Sequence, residues 1–310
     1  MAESDRGDSP LPAAPPPQSY LVTRCSGLSG FPDCGRRWAA NTLWREIATA
    51  GYVLRESSRG IGAAVGTSVH KSAQADLEAK AKTGALPPLD LVTDCAVEQL
   101  REEVRLGIDY DQRVTPTRND AEQQVLRMAK SYHHEVAPGL NPVLVERRLD
   151  ALIPWSTQNI VLSGQPDIVA REPDALDDLK TGTRRGYFMP QMGAYSLIVR
   201  SHGLAEVTQS RLTWVPRTAM KKPQPPPFHE PIDIVRAEST AISIIKAIDT
   251  AVRTWREGDP ERDIKPGDPA AFIANPSSML CSPKYCRAHS CGVNGWCREH
   301  DPAPDHASTG

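Results

Sequence analysis

Apolar residues recur three and four apart through most of the first 140 positions, the spacing that gathers them on one face of a helix. The run CGRRWAANTLWREIA offers Trp38, Leu43, Trp44 and Ile47 as buried positions. IGAAVGTSVHKSAQADLEAKAKTG predicts a second helix, closed by Gly84. DLVTDCAVEQLREEVRLG and NDAEQQVLRMAKSYHHEV predict two more. From Pro142 the period shortens, and PVLVERRLDALI, NIVLSGQPDIVA and ALDDLK predict consecutive strands with turn signals between them. YFMPQMGAYSLIVRSHG returns to helical spacing, with Pro190 marking its start. VTQSRLTWVPR predicts a strand, and AMKKPQPPPFHE a loop, because its prolines exclude regular structure. PIDIVRAESTAISIIKAIDTAVRTWREG predicts a long helix closed by Gly258. Helices, three strands, a helix, a strand and a helix make an α/β layout, with a mixed central sheet flanked by helices. Residues 1–18 hold Pro, Ala and Ser with little to bury and are expected to be disordered. A single domain is expected over 19–297, with a disordered polar tail over 298–310.

Composition narrows this picture only a little. The chain has 310 residues and a hydrophobic fraction of 39%, enough for one core. Its 36 basic and 38 acidic residues leave a net charge of −2, so any nucleic-acid surface must be local. No apolar run approaches membrane-spanning length, and no membrane association is expected. The acidic, proline-rich start lacks the basic opening and apolar middle of a signal peptide, which implies a cytoplasmic protein. Seven cysteines are then not a disulfide framework. Four of them, Cys281, Cys286, Cys291 and Cys297, crowd into CSPKYCRAHSCGVNGWC, which points to a metal or an iron–sulfur cluster.

The candidate chemistry sits in GQPDIVAREPDALDDLKTG, residues 164–182. Strand residues two apart share a face, so Asp178 and Lys180 project together while Asp177 points the other way. A hairpin would bring Asp167 beside them. Carboxylates of this kind hold Mg²⁺ or Mn²⁺, which prefer oxygen ligands. Such an ion polarises a phosphoryl oxygen, and a nearby lysine stabilises the developing charge. An isolated Asp-x-Lys pair, by contrast, is usually a solvated surface pair.

Several further motifs stand in one order with this pair. GTSVH ends in His70, GQPDIV carries Asp167, LDDLKTG carries Asp178 and Lys180, and QMGAY carries Gln191 and Tyr195. In this order they resemble the RecB-like branch of the PD-(D/E)XK nuclease superfamily. The resemblance implies a restriction-endonuclease-like core with a helical insertion at about 86–140. It implies His70, Asp167 and Asp178 as ligands of Mg²⁺ or Mn²⁺. Asp167, Asp178, Lys180, Gln191 and Tyr195 would form the catalytic group. Glu146 stands where the family often has an acidic residue; it either touches the site or is solvated.

Members of this branch with an iron–sulfur cluster place one cysteine before the nuclease motifs and three after them. FPDCGRRW supplies Cys34. The resemblance therefore implies a 4Fe-4S cluster on Cys34, Cys286, Cys291 and Cys297, with Cys281 as the alternative ligand and segment 281–297 closing onto Cys34. A structural Zn²⁺ held by the four C-terminal cysteines is the rival. Cys25 is a weaker distant ligand, and Cys95 reads as core. Arg184 and Arg185 are expected to contact DNA phosphates, with Arg36 and Arg37 in a similar role near the cluster. The implied activity is a metal-dependent DNA exonuclease similar to CRISPR-associated and phage RecB-like enzymes. Its substrate would be DNA with a free end, in recombination, repair or CRISPR adaptation, with a protein partner from one of those processes. A catalytically silent DNA-binding or assembly module and a zinc-stabilised endonuclease are the alternatives.

Overall fold

A computed structural model of the chain describes residues 20–56, 58–171, 174–183, 186–289, 292 and 294–299. The first described element is β1 (Leu21–Arg24), followed by three short helices, α1 (Gly30–Asp33), α2 (Gly35–Thr42) and α3 (Trp44–Thr49). Three longer helices come next: α4 (Ile61–Thr83), α5 (Leu89–Arg105) and α6 (Arg118–Glu135). Gly84 closes α4 in the left-handed conformation, as its position predicts. The Thr117 side chain caps α6 by accepting from the Asp120 amide.

The strand region supplies β2 (Pro142–Val145), β3 (Leu149–Leu152), β4 (Ile160–Gly164), β5 (Ile168–Ala170) and β6 (Ala175–Lys180). Then follow α7 (Met189–Ser201), β7 (Gln209–Trp214), β8 (Phe228–Ile232) and α8 (Ile234–Glu257). These strands form two sheets, a five-stranded one in the order β2-β5-β6-β7-β8 and a three-stranded one in the order β1-β4-β3. Both are mixed: β6 runs parallel to β7, β1 runs parallel to β4, and the other pairs are antiparallel.

The five-stranded sheet is buried on both faces. Leu179 and Ile168 pack into one apolar cluster with α4, α5 and α6, while Leu176 and Leu212 pack into another with α7 and α8. The expected α/β class, mixed central sheet and flanking helices are therefore present, with two local corrections. PVLVERRLDALI and NIVLSGQPDIVA, each read as one strand, break into two, and a second, three-stranded sheet forms as well. Glu146 breaks the first at φ +45, and Gln165-Pro166 the second. Trp44, read as buried, is 43% exposed, because the helix ends at Thr42 and restarts beyond Leu43. The proline-rich loop also ends in a strand. Pro231 is tolerated there because β8 is an edge strand.

Candidate active site

The β5–β6 hairpin sets the geometry. Ile168 pairs with Asp177 across it, so Asp167, just before β5, reaches the end of β6. Its Oδ2 accepts the Leu179 amide at 2.6 Å. Its Oδ1 lies 3.2 Å from Nδ1 of His70, on α4. Oε1 of Glu146 lies 3.1 Å from the same nitrogen. The positive φ at Glu146 ends β2 and turns its carboxylate towards the ring. One donor atom each from His70, Glu146 and Asp167 lies within 4.8 Å of the others, the candidate cation group among the described residues.

Asp178, Lys180, Gln191 and Tyr195 adjoin this group. Asp178 Oδ2 lies 2.5 Å from Lys180 Nζ, as an ion pair without the directionality of a hydrogen bond. Gln191 Nε2 donates to Asp178 Oδ1 at 3.0 Å and is 3.0 Å from the Tyr195 hydroxyl, while its Oε1 accepts from Lys180 at 3.2 Å. The Lys180 ammonium also lies 4.1 Å from the centre of the Phe188 ring. Asp177 faces the other way, as alternation requires, and pairs with Arg211 and Thr213. Gly164 at the end of β4 allows the close approach of α7. A Cβ there would lie 2.8 Å from Tyr195 Cε1 and 2.7 Å from Cys25 Sγ.

The electrostatics of His70 and Asp167 depend strongly on their neighbours. Burial pushes the Asp167 carboxyl up to about 7, helped by the nearby Asp178 charge and opposed by His70. Burial alone would lower the His70 imidazole, but Asp167 and Glu146 override it and hold it well above its ordinary value. The carboxylate oxygens and one imidazole nitrogen fit Mg²⁺ or Mn²⁺. One polar group beside the site was missed by sequence reasoning. The Tyr132 hydroxyl on α6 is buried without a hydrogen-bond partner. Tyr132 lines a small cavity with His70, Glu146 and Asp167. Only the helical spacing could have flagged it, and that spacing also serves core packing.

The cysteine segment closes onto the N-terminal helices. Arg36 donates to the carbonyls of Pro269 and Phe272 and pairs with Glu299 at 2.7 Å. Trp296 Nε1 donates to the Arg36 carbonyl, and Arg37 holds Asp33 and Ser278. Arg36 and Arg37, suggested as phosphate contacts, are therefore engaged in this clasp, and Glu299 belongs to it rather than to a tail. The Cys281 thiol is raised by burial and then by Cys297 and Cys34, and burial pushes Cys286 up to about 11, with smaller influences from Cys281 and Cys34. Cys34, Cys281, Cys286 and Cys297 lie near enough to influence one another, but no three of them bring their sulfurs within 4.8 Å of each other. Cys25 sits in the core with its thiol pushed up to about 12, and Cys95 is half-buried at the edge of the helical layer. Cys291, Arg184 and Arg185 lie outside the described residues, as do the tail positions 1–18 and 300–310.

A family model described as the PD-(D/E)XK nuclease superfamily matches residues 25–298. A search of the curated proteins finds no match. Among solved structures, a protein from Eubacterium rectale named "Putative exonuclease" is similar in fold. Its TM-score is 0.52 at 10% identity, over 84% of this chain and 86% of that one.

Proposed function

The chain belongs to the PD-(D/E)XK nuclease superfamily, and from that premise we propose that it is a metal-dependent DNA exonuclease of the RecB-like branch. The observation that carries this reading is the joining of the His70–Glu146–Asp167 group to the Asp178–Lys180–Gln191 group at one end of the β5–β6 hairpin. A binding module has no need for an ammonium held between a carboxylate and an amide at the edge of a cation site. His70, Glu146, Asp167 and Asp178 would hold Mg²⁺ or Mn²⁺, an ion that supplies Lewis-acid polarisation of the scissile phosphate. Lys180 then faces the phosphate and stabilises the charge that develops on its oxygens. Gln191 fixes the Lys180 and Asp178 side chains, and Tyr195 fixes Gln191.

Arg184 and Arg185, directly after the catalytic strand, are assigned to DNA phosphates. DNA with a free end is the substrate, in recombination, repair or CRISPR adaptation alongside a protein partner. A 4Fe-4S cluster on Cys34, Cys286 and Cys297, with Cys291 or Cys281, would join the chain ends; structural zinc is the alternative. Among the described residues no helix is long and apolar enough to cross a membrane. The test compares linear and covalently closed circular DNA, with Mg²⁺ or Mn²⁺ and with chelator. Wild type should degrade only the linear form, and Asp167→Asn and Asp178→Asn should lose at least about a hundredfold in rate while keeping the fold. Unchanged cleavage in either variant defeats the assignment.

A further inference from the structure

A cavity of about 640 Å³ lies apart from the catalytic ring, between β1, α2, α3 and the cysteine segment. It falls in the range of roughly 300–1,000 Å³ typical of ligand sites. Arg24, Arg37 and Arg287 line it, and no carboxylate does so among the described residues. Arg37 is balanced by Asp33. Among the described residues neither Arg24 nor Arg287 has an ion-pair partner, and Arg287 Nε donates to the Arg55 carbonyl. Two guanidiniums from distant parts of the sequence therefore give the cavity a net positive charge.

Its other distinctive wall is Trp44, 43% exposed where a helix interior would have buried it. The Arg45 guanidinium lies 4.9 Å from the centre of the indole. Asn41 adds an amide able both to donate and to accept. An indole, an amide and guanidiniums around one hollow match the parts of a nucleotide: a base to stack, polar edges and a phosphate. Stacking on an indole needs a base out of its duplex, which favours a single strand.

Strand β4 runs between the cavity and the candidate cation group. Arg24 stands in register with Ser163 on β4. Ser163 Oγ accepts from Arg148 at 3.2 Å, and Gln165, two residues on, donates to Glu146 at 2.7 Å. Asp150 on β3 is the carboxylate in register on the far side of Ser163. One strand thus carries both a neighbour of Arg24 and, just past its end, a hydrogen-bond partner of Glu146.

We propose that this cavity anchors single-stranded nucleic acid, stacking one base on Trp44 and holding phosphates with Arg24 and Arg287. Its purpose, holding a strand whose scissile bond lies in the ring, rests on the nuclease reading; its binding chemistry does not. The test is fluorescence anisotropy of a labelled 20-nucleotide oligothymidine on the full-length protein, without added divalent ions and across a range of salt concentrations. Trp44→Ala should weaken binding roughly tenfold, and Trp44→Phe should restore most of the loss. Arg24→Ala should reduce the salt slope by about one. Wild-type affinity in Trp44→Ala together with a wild-type salt slope in Arg24→Ala overturns the proposal. So does a loss seen with duplex and not with the single strand. Should Trp44→Ala fail to fold, Arg24→Ala, on the exposed face of β1, decides alone. Because no cleavage is measured, a protein that binds as described and cuts no DNA would defeat the nuclease reading and leave this site standing.

Discussion

Gly193 lies midway between Gln191 and Tyr195, where α7 meets α8. A Cβ at this position would sit 2.0 Å from the Ala237 carbonyl oxygen, 2.2 Å from its carbon and 2.7 Å from the Glu238 nitrogen. All three are backbone atoms of α8, so no side chain can swing aside. Gly193→Ala must move one helix by more than an ångström against the Ser196–Glu238 and Arg200–Glu238 contacts. Overpacking of this kind costs about 3 kcal/mol, at the upper end of the usual range, because the obstacle is main chain. Alanine recovers about 1 kcal/mol of helix propensity. The net loss, about 2 kcal/mol, should lower Tm by roughly 4–8 °C in a domain of this size. The helix that must move also carries the Gln191 amide linking Lys180 to Asp178. An ångström of misplacement there should slow cleavage by about a hundredfold. Circular dichroism melts and timed digestion of linear DNA measure the two effects. A variant with wild-type Tm and wild-type rate would mean that α7 and α8 are not in backbone contact, and that the placement of Gln191 does not depend on it.

Lys180→Ala should abolish cleavage and leave Mn²⁺ affinity within about twofold, whereas His70→Ala should weaken Mn²⁺ binding by roughly 10- to 100-fold. Calorimetric titration separates them, and equal losses would contradict the division of roles. Because burial raises Asp167 and the neighbouring carboxylates raise His70, ion binding must displace the proton held by this pair. Mn²⁺ affinity should therefore be weak below pH 7 and tighten as pH rises through and above it; equal affinity at pH 6 and pH 8 would refute that coupling. Cys34→Ser should lose iron and visible absorbance after anaerobic preparation and lower Tm, while Cys95→Ser does neither. Stoichiometric zinc without iron, unchanged in Cys34→Ser, would replace the clasp with a self-contained zinc site.

The helices were legible because their period and their stops agree. The pattern ending at Gly84 and the one ending at Gly258 both stop at glycines with positive φ. The division of the strands was not legible. Glu146 carries no turn residue type, and its positive φ follows from the two sheets diverging around it. Alternation told which side chains share a face; it did not tell where one sheet ends and another begins. Trp44 failed for a related reason. Helical spacing continues through Leu43, yet the helix does not, so the indole leaves the core for the surface.

The site divides along the same line. Asp178 and Lys180 are fixed by two-residue alternation, and Gln191 and Tyr195 by one helical turn, so local geometry alone brings each pair together. Glu146 needs the backbone break, and Tyr132 needs the packing of α6 across α4, before either reaches His70. These depend on contacts between elements that no short window contains. The same distinction explains Asp177. Beside Asp178 in sequence and equally buried, it is separated from the ring by the pleat and spends its charge on Arg211. A buried carboxylate with a guanidinium of its own is already neutralised. The carboxylates of Glu146, Asp167 and Asp178 face one imidazole and one lysine between them, a grouping that a divalent cation would complete.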